Sequence, residues 1–466
     1  MARPLQLKLI ILSGALISTI SLFFILQTSS IYHATLGKIS TNYVHIKNDK
    51  QFLVEPYEKP YESINQSNIY KWDARLYKSI RDSSYQGSDK HYKERLAFYP
   101  LYPLIWKLSF IDSPFIFIFN YILFALGLLL LFKVLAPDGK LIVLMIGLIA
   151  PSAVIYYLPY AESLFLLTLA IAIWGLFQKK YWLFFIGAFG FAMTRPAVLI
   201  FIFALIAADI CYWYAHRNIR YLLKEVLLKT APFMLGFFAV VFIQYSYSGS
   251  LSAYFDAQVI WPTETGFMNK IVDWSIEGFG MSVFALFFLA IPCLIYSIQW
   301  GLKQLKSNDQ TVPPSLFSGN EIWIKEYVFK ASVLFTAGNL IYTFLTSGNS
   351  MNGFYRYTMA VPCFYIILFL APEKLKDVSF KKTLIIFSTC LIAMCTFLFE
   401  VEYGGSRFTF QYTGLYLSVL LLLFLIIEPG IPQKQKWLIC VLLFGFCILW
   451  QTYLFNMYLS EGWLFT

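Results

Sequence analysis

Phe115-Ile-Phe-Ile-Phe-Asn-Tyr-Ile-Leu-Phe-Ala-Leu-Gly-Leu-Leu-Leu-Leu-Phe132 is a run of 18 residues without a charge. At about 1.5 Å of helical rise per residue it reaches across most of a hydrocarbon layer roughly 30 Å thick. Lipid offers no water to peptide groups, so such a run must satisfy its own hydrogen bonds as a helix. Working outward, similar runs recur at roughly 9–27, 113–133, 141–158, 161–178, 181–194, 196–213, 231–247, 278–300, 327–346, 357–372, 383–399, 412–428 and 437–455. These thirteen runs predict an all-α polytopic membrane protein, with residues 1–466 forming one integral membrane domain.

Composition points the same way. Of 466 residues, 59% are hydrophobic and 13% charged, and the mean hydropathy is +0.63. Soluble domains carry about 25% charge. The net charge of +10 would suit a nucleic-acid partner in a soluble protein; in a membrane chain it follows from basic residues kept on the cytoplasmic side, and no nucleic acid is expected.

With the N-terminus in the cytoplasm, twenty of the 36 Lys and Arg fall in cytoplasmic segments or the span ends beside them, Lys229 among them. Twelve more lie in one long outer loop, and the short outer loops hold just Arg195, Lys270, Arg356 and Arg407. Long loops translocate largely regardless of charge, so the short-loop bias sets the expected orientation. The seven cysteines all fall in apolar runs and read as small core residues, with no CxxC pattern. The first run follows Arg3 and Lys8 without a small-residue cleavage site and is expected to be a retained helix.

Three connections stand out. Residues 28–112 form a large outer loop, polar at first, then apolar through Ala97-Phe-Tyr-Pro-Leu-Tyr-Pro-Leu-Ile-Trp106. Pro100 and Pro103 oppose a simple spanning helix there, so short amphipathic helices on the membrane surface are expected. Residues 248–277, containing Trp261-Pro262, read as a second, smaller outer loop, and 301–326, with Pro313-Pro314, as a plain cytoplasmic linker.

Five polar features are expected on one outer face. Lys71-Trp72-Asp73-Ala74-Arg75 sets an acid beside an aromatic ring. A ring offers an apolar face to sugar C–H groups while a carboxylate takes a hydroxyl proton; the ordinary alternative is a solvated loop acid. Glu162, in Leu158-Pro-Tyr-Ala-Glu-Ser163, opens a span, where an acid also suits a helix N-terminus.

Thr194-Arg195-Pro196 and Phe354-Tyr355-Arg356-Tyr357 each set a cation between apolar spans, where it must reach water, a partner, a ligand or lipid phosphate. Glu400-Val-Glu402 with Arg407 reads more readily as a loop ion pair. These residue types suit transfer from a phosphate-linked donor, with a carboxylate activating the acceptor hydroxyl and arginines stabilising the departing phosphate. There is no DxD, HExxH, P-loop or GxSxG, and His33, His45, His91 and His216 show no ligand spacing, so no metal site or cofactor is read, although a divalent metal is compatible with such chemistry.

Five motifs in order then carry a resemblance: Trp72-Asp73-Ala74 with Tyr77 and Ile80; Ala97-Phe-Tyr-Pro-Leu-Tyr-Pro103; Pro151 with Tyr160-Ala-Glu-Ser-Leu-Phe165; Ala192-Met-Thr-Arg-Pro196; and Arg356-Tyr357. Their order and spacing resemble the bacterial branch of the PIG-V family of mannosyltransferases, within the GT-C superfamily of multi-spanning glycosyltransferases. The resemblance covers about residues 70–360; the last hundred residues match only as generic spans.

It implies a GT-C-like bundle whose large first outer loop carries the catalytic base, which maps onto Asp73. It also implies a polyprenyl- or dolichyl-phosphate sugar donor, typically mannose, used on the periplasmic, extracellular or lumenal face with inversion at the anomeric carbon. Ala74 stands where the family commonly has Gly, and Tyr99 where it often has Phe. The acceptor, a lipid or glycan, is not implied.

The resulting expectation is a membrane glycosyltransferase with Asp73 as base, Glu162 as second acid, and Arg195 and Arg356 as phosphate contacts. Trp72, Arg75, Tyr99, Tyr102, Tyr160 and Tyr357 are the further substrate-binding candidates. A transporter or lipid-linked sugar flippase is the alternative from another class, but it would place ionisable residues near the bilayer midplane, whereas the expected spans hold few, with Asp209 near the inner end of its helix and Asn120 and Asn339 neutral, and charge gathered on one rim fits a surface enzyme better. A surface-polysaccharide polymerase or ligase would share the rim chemistry but use a diphosphate-linked donor.

Overall fold

The computed structural model describes residues 2–28, 31, 41–47, 51–57, 61–86, 92–137, 141–216, 218–258, 276–306, 314–346, 353–375, 378–400, 402–403, 406–407, 421–422, 424–425 and 431–460. Trp261, Pro262 and Lys270 of the second outer loop, most of the expected span 412–428, and His33, His91, Arg217, Pro313 and Lys376 lie outside them.

The chain is predominantly helical. Ile116–Leu135, Ile219–Ser248, Met281–Lys306, Glu321–Thr346 and Gln433–Leu459 are each long and apolar enough to cross a membrane. Along Ile219–Ser248, Leu223, Leu227, Leu235, Phe238 and Phe242 remain exposed, an apolar surface consistent with a membrane helix. Shorter apolar helices, Glu162–Phe177, Tyr181–Ala192 and Val198–His216, pack among them around one continuous core. The first two form a tight hairpin in which the Lys180 amide donates to the Gly175 carbonyl at 2.9 Å. A Cβ at Gly187 would collide with the Ala172 backbone, so this close approach requires glycine.

Several expectations need correction. The run 141–158 is not one helix: Leu141–Ile149 stops before Pro151, which opens a 3₁₀ turn over Pro151–Tyr156. Proline disfavours helical backbone in the residue before it and supplies no N–H. The all-α class holds, with two small hairpins beside the helices among the described residues. Within the long loop, Thr41–Lys47 and Gln51–Tyr57 pair antiparallel, with Val44 opposite Val54 and Ile46 opposite Phe52. A second small hairpin pairs Glu402 with Arg407. Tyr43, Val44 and Ile46 in one strand of the first and Phe52 and Val54 in the other are residue types that favour strands. The short helices expected later in the loop are present at Asp73–Ser83, Tyr92–Arg95 and Leu101–Ser109.

The region at 301–326 is not a plain linker where it is described. Leu316 is buried, its amide donating to Glu225 Oε2 at 3.3 Å, and Phe317 packs edge-on against Tyr181 and Phe184. Helix Ile219–Ser248 begins well before the apolar run, because Tyr221-Leu-Leu-Lys-Glu-Val-Leu-Leu-Lys229 is rich in strong helix formers. Lys229 is therefore a buried helix-interior cation, 2% exposed, and not a loop charge.

Candidate functional site

Asp73 opens the helix Asp73–Ser83 from a tight turn. The Ala74 amide donates to the Lys71 carbonyl at 3.0 Å, closing Lys71–Ala74. Trp72 in this turn has φ 51° and ψ −128°, a conformation that a side-chain-bearing residue holds at a cost of about 1–3 kcal/mol. Apolar residues of the new helix, Ala74, Leu76, Tyr77 and Ile80, are buried, so the helix is anchored by one face and its first carboxylate is held at the edge of the packed region.

Arg356 arrives from the short helix Phe354–Thr358, which follows Gly353 at φ 65°. That left-handed backbone favours glycine, and the Gly353 carbonyl accepts the Arg356 amide at 2.8 Å. Glu162 is the first residue of Glu162–Phe177, where the helix N-terminus favours a carboxylate. Ser163 locks this start by donating to the Tyr156 carbonyl at 2.7 Å. Arg195 leads into Val198–His216, and the Met193 carbonyl accepts the Leu101 amide at 3.2 Å, tying this loop to the end of the long one.

These four side chains form one continuous chain of ion pairs. Arg356 Nη2 is 2.7 Å from Asp73 Oδ2, and Arg356 Nε donates to Glu162 Oε1 at 2.5 Å. Arg195 Nη1 lies 2.7 Å from the same Glu162 oxygen. Exposure falls toward the middle of the chain: the Asp73 side chain is 16% exposed, Arg356 4%, Glu162 0% and Arg195 8%. Glu162 Oε2 has no side-chain hydrogen-bond partner among the described residues. Aromatic rings complete the enclosure. Arg356 stands 4.7 Å from the Tyr160 ring centre, and Arg195 is 5.9 Å from those of Phe165 and Tyr357.

This arrangement separates two roles that residue types alone left open. A fully enclosed carboxylate shared by two guanidiniums is poorly placed to take a proton from a substrate; it holds the arginines together. Asp73 is the more exposed of the two carboxylates, its side chain 16% exposed. The other candidates divide. Tyr160 and Tyr357 belong to the cluster, and Trp72 is in the turn. Tyr99 and Tyr102 do not line an open entrance: both are 0% exposed, with Tyr102 donating to Asn120 Oδ1 at 3.1 Å and Tyr99 edge-on to Tyr254. Paired tyrosines in an apolar stretch read equally as anchors and as packed core. Arg75 faces Glu94 at 4.0 Å, with its side chain 60% exposed.

A polar brace holds the loop segment ahead of Asp73. Tyr70 donates to Asp112 Oδ1 at 2.8 Å, and Arg81, stacked 4.6 Å from the Trp106 ring centre, reaches the same oxygen at 3.3 Å. Partial burial pushes the Asp112 carboxyl up, but the Ser113 amide, Tyr70 and Arg81 outweigh it and hold the group below its ordinary range. Asp82 is likewise pushed up by burial and held lower by hydrogen bonds from Lys78 and Arg81.

Sequence reasoning missed two things. The first is the contact of the last helix with the Asp73 turn, where the Tyr458 hydroxyl meets the Ile69 carbonyl and the Lys71 amide, which no local pattern signals. The second is the pairing of Asp209 with buried charge from a neighbouring helix. Asp209 lies eleven residues beyond Val198, roughly 16 Å along that helix, and Lys229 Nζ is 2.5 Å from its Oδ1 and 3.4 Å from Glu225 Oε2. Asp209, expected near the inner end of its span, is thus joined by two further buried charges. An apolar cavity of about 30 Å³ lies beside Lys229, lined by Leu169, Phe201, Phe233 and Tyr327 among others. Among the described residues, no group of three or more His, Cys, Asp or Glu could hold a metal ion. Comparison with protein families, curated proteins and solved structures finds no match to this chain.

Proposed function

We propose that this chain is a GT-C-like membrane glycosyltransferase of about thirteen spans. It moves a sugar, mannose by the motif resemblance, from a polyprenyl-phosphate donor to a lipid or glycan acceptor on the non-cytoplasmic face. The observation that carries the reading is the Asp73–Arg356–Glu162–Arg195 chain, in which one accessible carboxylate adjoins two arginines fixed by an enclosed one. In the proposed reaction the donor phosphate takes the place of Asp73 on Arg356, freeing the carboxylate. Asp73 then accepts the proton of the acceptor hydroxyl as its oxygen attacks the anomeric carbon opposite the phosphate. The sugar–phosphate C–O bond breaks, its electron pair stays on the phosphate oxygen, and Arg356 and Arg195 stabilise that charge.

Charge counting supports a monophosphate donor. Two guanidiniums, the enclosed Glu162 and Asp73 sum to zero net charge, so a phosphodiester donor adds a single negative charge to the site. A diphosphate would bring a second, uncompensated charge into a partly buried site.

The Asp209–Lys229 pair is the observation that favours a transporter, since ionisable residues inside spans mark ion paths. Its lysine is already engaged by two carboxylates and stands 4.2 Å from the Tyr327 ring centre, the arrangement of a closed structural pair.

The test supplies purified protein in vesicles with radiolabelled polyprenyl-phosphate-mannose and a panel of lipid and glycan acceptors. A new glycoside is the expected product. Donor moved between leaflets with no glycoside formed would establish the transporter instead, and transfer only from a diphosphate-linked donor would establish the polymerase or ligase. For topology, membrane-impermeant thiol reagent is expected to label a cysteine at exposed Ser67 from outside and not one at exposed Lys303; the reverse pattern overturns the orientation.

A further inference from the structure

We infer that Tyr458 is a positioning residue for Asp73, which makes the end of the Gln433–Leu459 helix part of the catalytic apparatus; the inference rests on the transfer proposed above. Tyr458 is 0% exposed. Its hydroxyl donates to the Ile69 carbonyl at 2.5 Å and accepts the Lys71 amide at 3.2 Å, across 389 and 387 positions of chain. Lys71 is the residue whose carbonyl closes the turn onto Ala74. One hydroxyl therefore pins the backbone on the near side of Trp72, whose positive φ would otherwise favour relaxation of the turn.

The same ring meets Tyr160 edge-on, with centres 6.1 Å apart and planes at 88°, and Tyr160 is the ring beneath Arg356. Tyr458 thus adjoins both arms of the site, the base turn and the support of the arginine. Its neighbours gather the rest of the loop onto the same helix end. Asn456 Oδ1 accepts the Glu62 amide at 2.9 Å, and Gln27, whose carbonyl accepts from Tyr61, donates to the Thr452 carbonyl at 3.0 Å. Losing the hydroxyl would leave the Ile69 carbonyl and the Lys71 amide without this partner while keeping the ring contact with Tyr160.

Tyr458→Phe tests this in two independent ways. In transfer assays with polyprenyl-phosphate-mannose, kcat per folded molecule is expected to fall about tenfold or more, since an ångström of misplacement costs on the order of a hundredfold. The donor KM is expected to stay within about twofold, because Arg195 and Arg356 are untouched. Added to Asp73→Asn, the substitution should cause no further loss in the residual rate. Without any substrate, hydrogen exchange of the peptide spanning residues 69–75 should accelerate in the variant.

Unchanged exchange there would overturn the clamp whatever the activity. An unchanged kcat, or the same fractional loss with and without Asp73→Asn, would overturn the positioning role. A wild type that forms no glycoside would instead count against the transfer reading, and the exchange measurement would still decide the clamp.

Discussion

The chain from Asp73 to Arg195 and the triad of Asp209, Lys229 and Glu225 are both enclosed clusters of charge, but they are assembled differently. The first draws on four separate stretches of chain at helix starts and short helices, uses arginines, and reaches the surface through Asp73. The second lies in helix interiors, uses a lysine, and includes a pair one helical turn apart on the same helix, Glu225 with Lys229. Guanidiniums grip carboxylate and phosphate in fixed geometry, whereas an ammonium is a point charge. On the proposed reading, the difference separates a cluster that exchanges one anion for another from one that holds helices together.

A large effect is expected on the bridge of the first cluster. Arg356→Ala removes the contacts to both Asp73 and Glu162, and transfer should fall by about 10²–10³, as for loss of one transition-state donor. Arg356→Lys should recover only part, because one ammonium cannot span two carboxylates as a guanidinium does. Full recovery in a transfer assay would erase the proposed distinction between the clusters.

The second cluster should show the opposite pattern. Lys229→Met strands Asp209 and Glu225, lowering stability by roughly 3–5 kcal/mol, while replacing Asp209 and Lys229 together by Leu and Met should restore much of it. Transfer per folded molecule should be unchanged in both variants. A loss of transfer in molecules that remain folded would break the comparison and return attention to the transporter.

How much of this was legible in the sequence follows from the range of each signal. Apolar runs are local, so most helices lie where those runs stand, and Asp73, Glu162, Arg195 and Arg356 stand out because charge beside apolar runs is rare. Their partners are another matter. That Arg195 and Arg356 would share one Glu162 oxygen depends on how distant segments pack. Tyr458 looks like any tyrosine at the end of a span, and Lys229 looks like a loop cation until the helix is known to start at Ile219. The hairpin at 41–57 was hidden because two seven-residue strands carry little signal beside long helices.

The smallest effect belongs to the brace outside the spans. Asp82 is held below its ordinary value of 3.8 in the folded chain, so the folded state binds fewer protons than the unfolded one as the group titrates. Its contribution is therefore complete above the ordinary range and is lost as pH falls through the lowered folded value. Because the pair is partly exposed, Asp82→Asn should cost roughly 0.2–1 kcal/mol near neutral pH. In paired denaturation curves the difference from wild type should vanish in acid below that range; a difference that persists there would show that Asp82 acts through packing.

The most direct test is Asp73→Asn, which keeps size and most packing but removes the base. With polyprenyl-phosphate-mannose and a competent acceptor, the folded variant should transfer about 10²–10⁴ times more slowly than wild type. It should still bind the donor, whose phosphate no longer competes with a carboxylate for Arg356. Transfer at the wild-type rate would contradict the account at its centre.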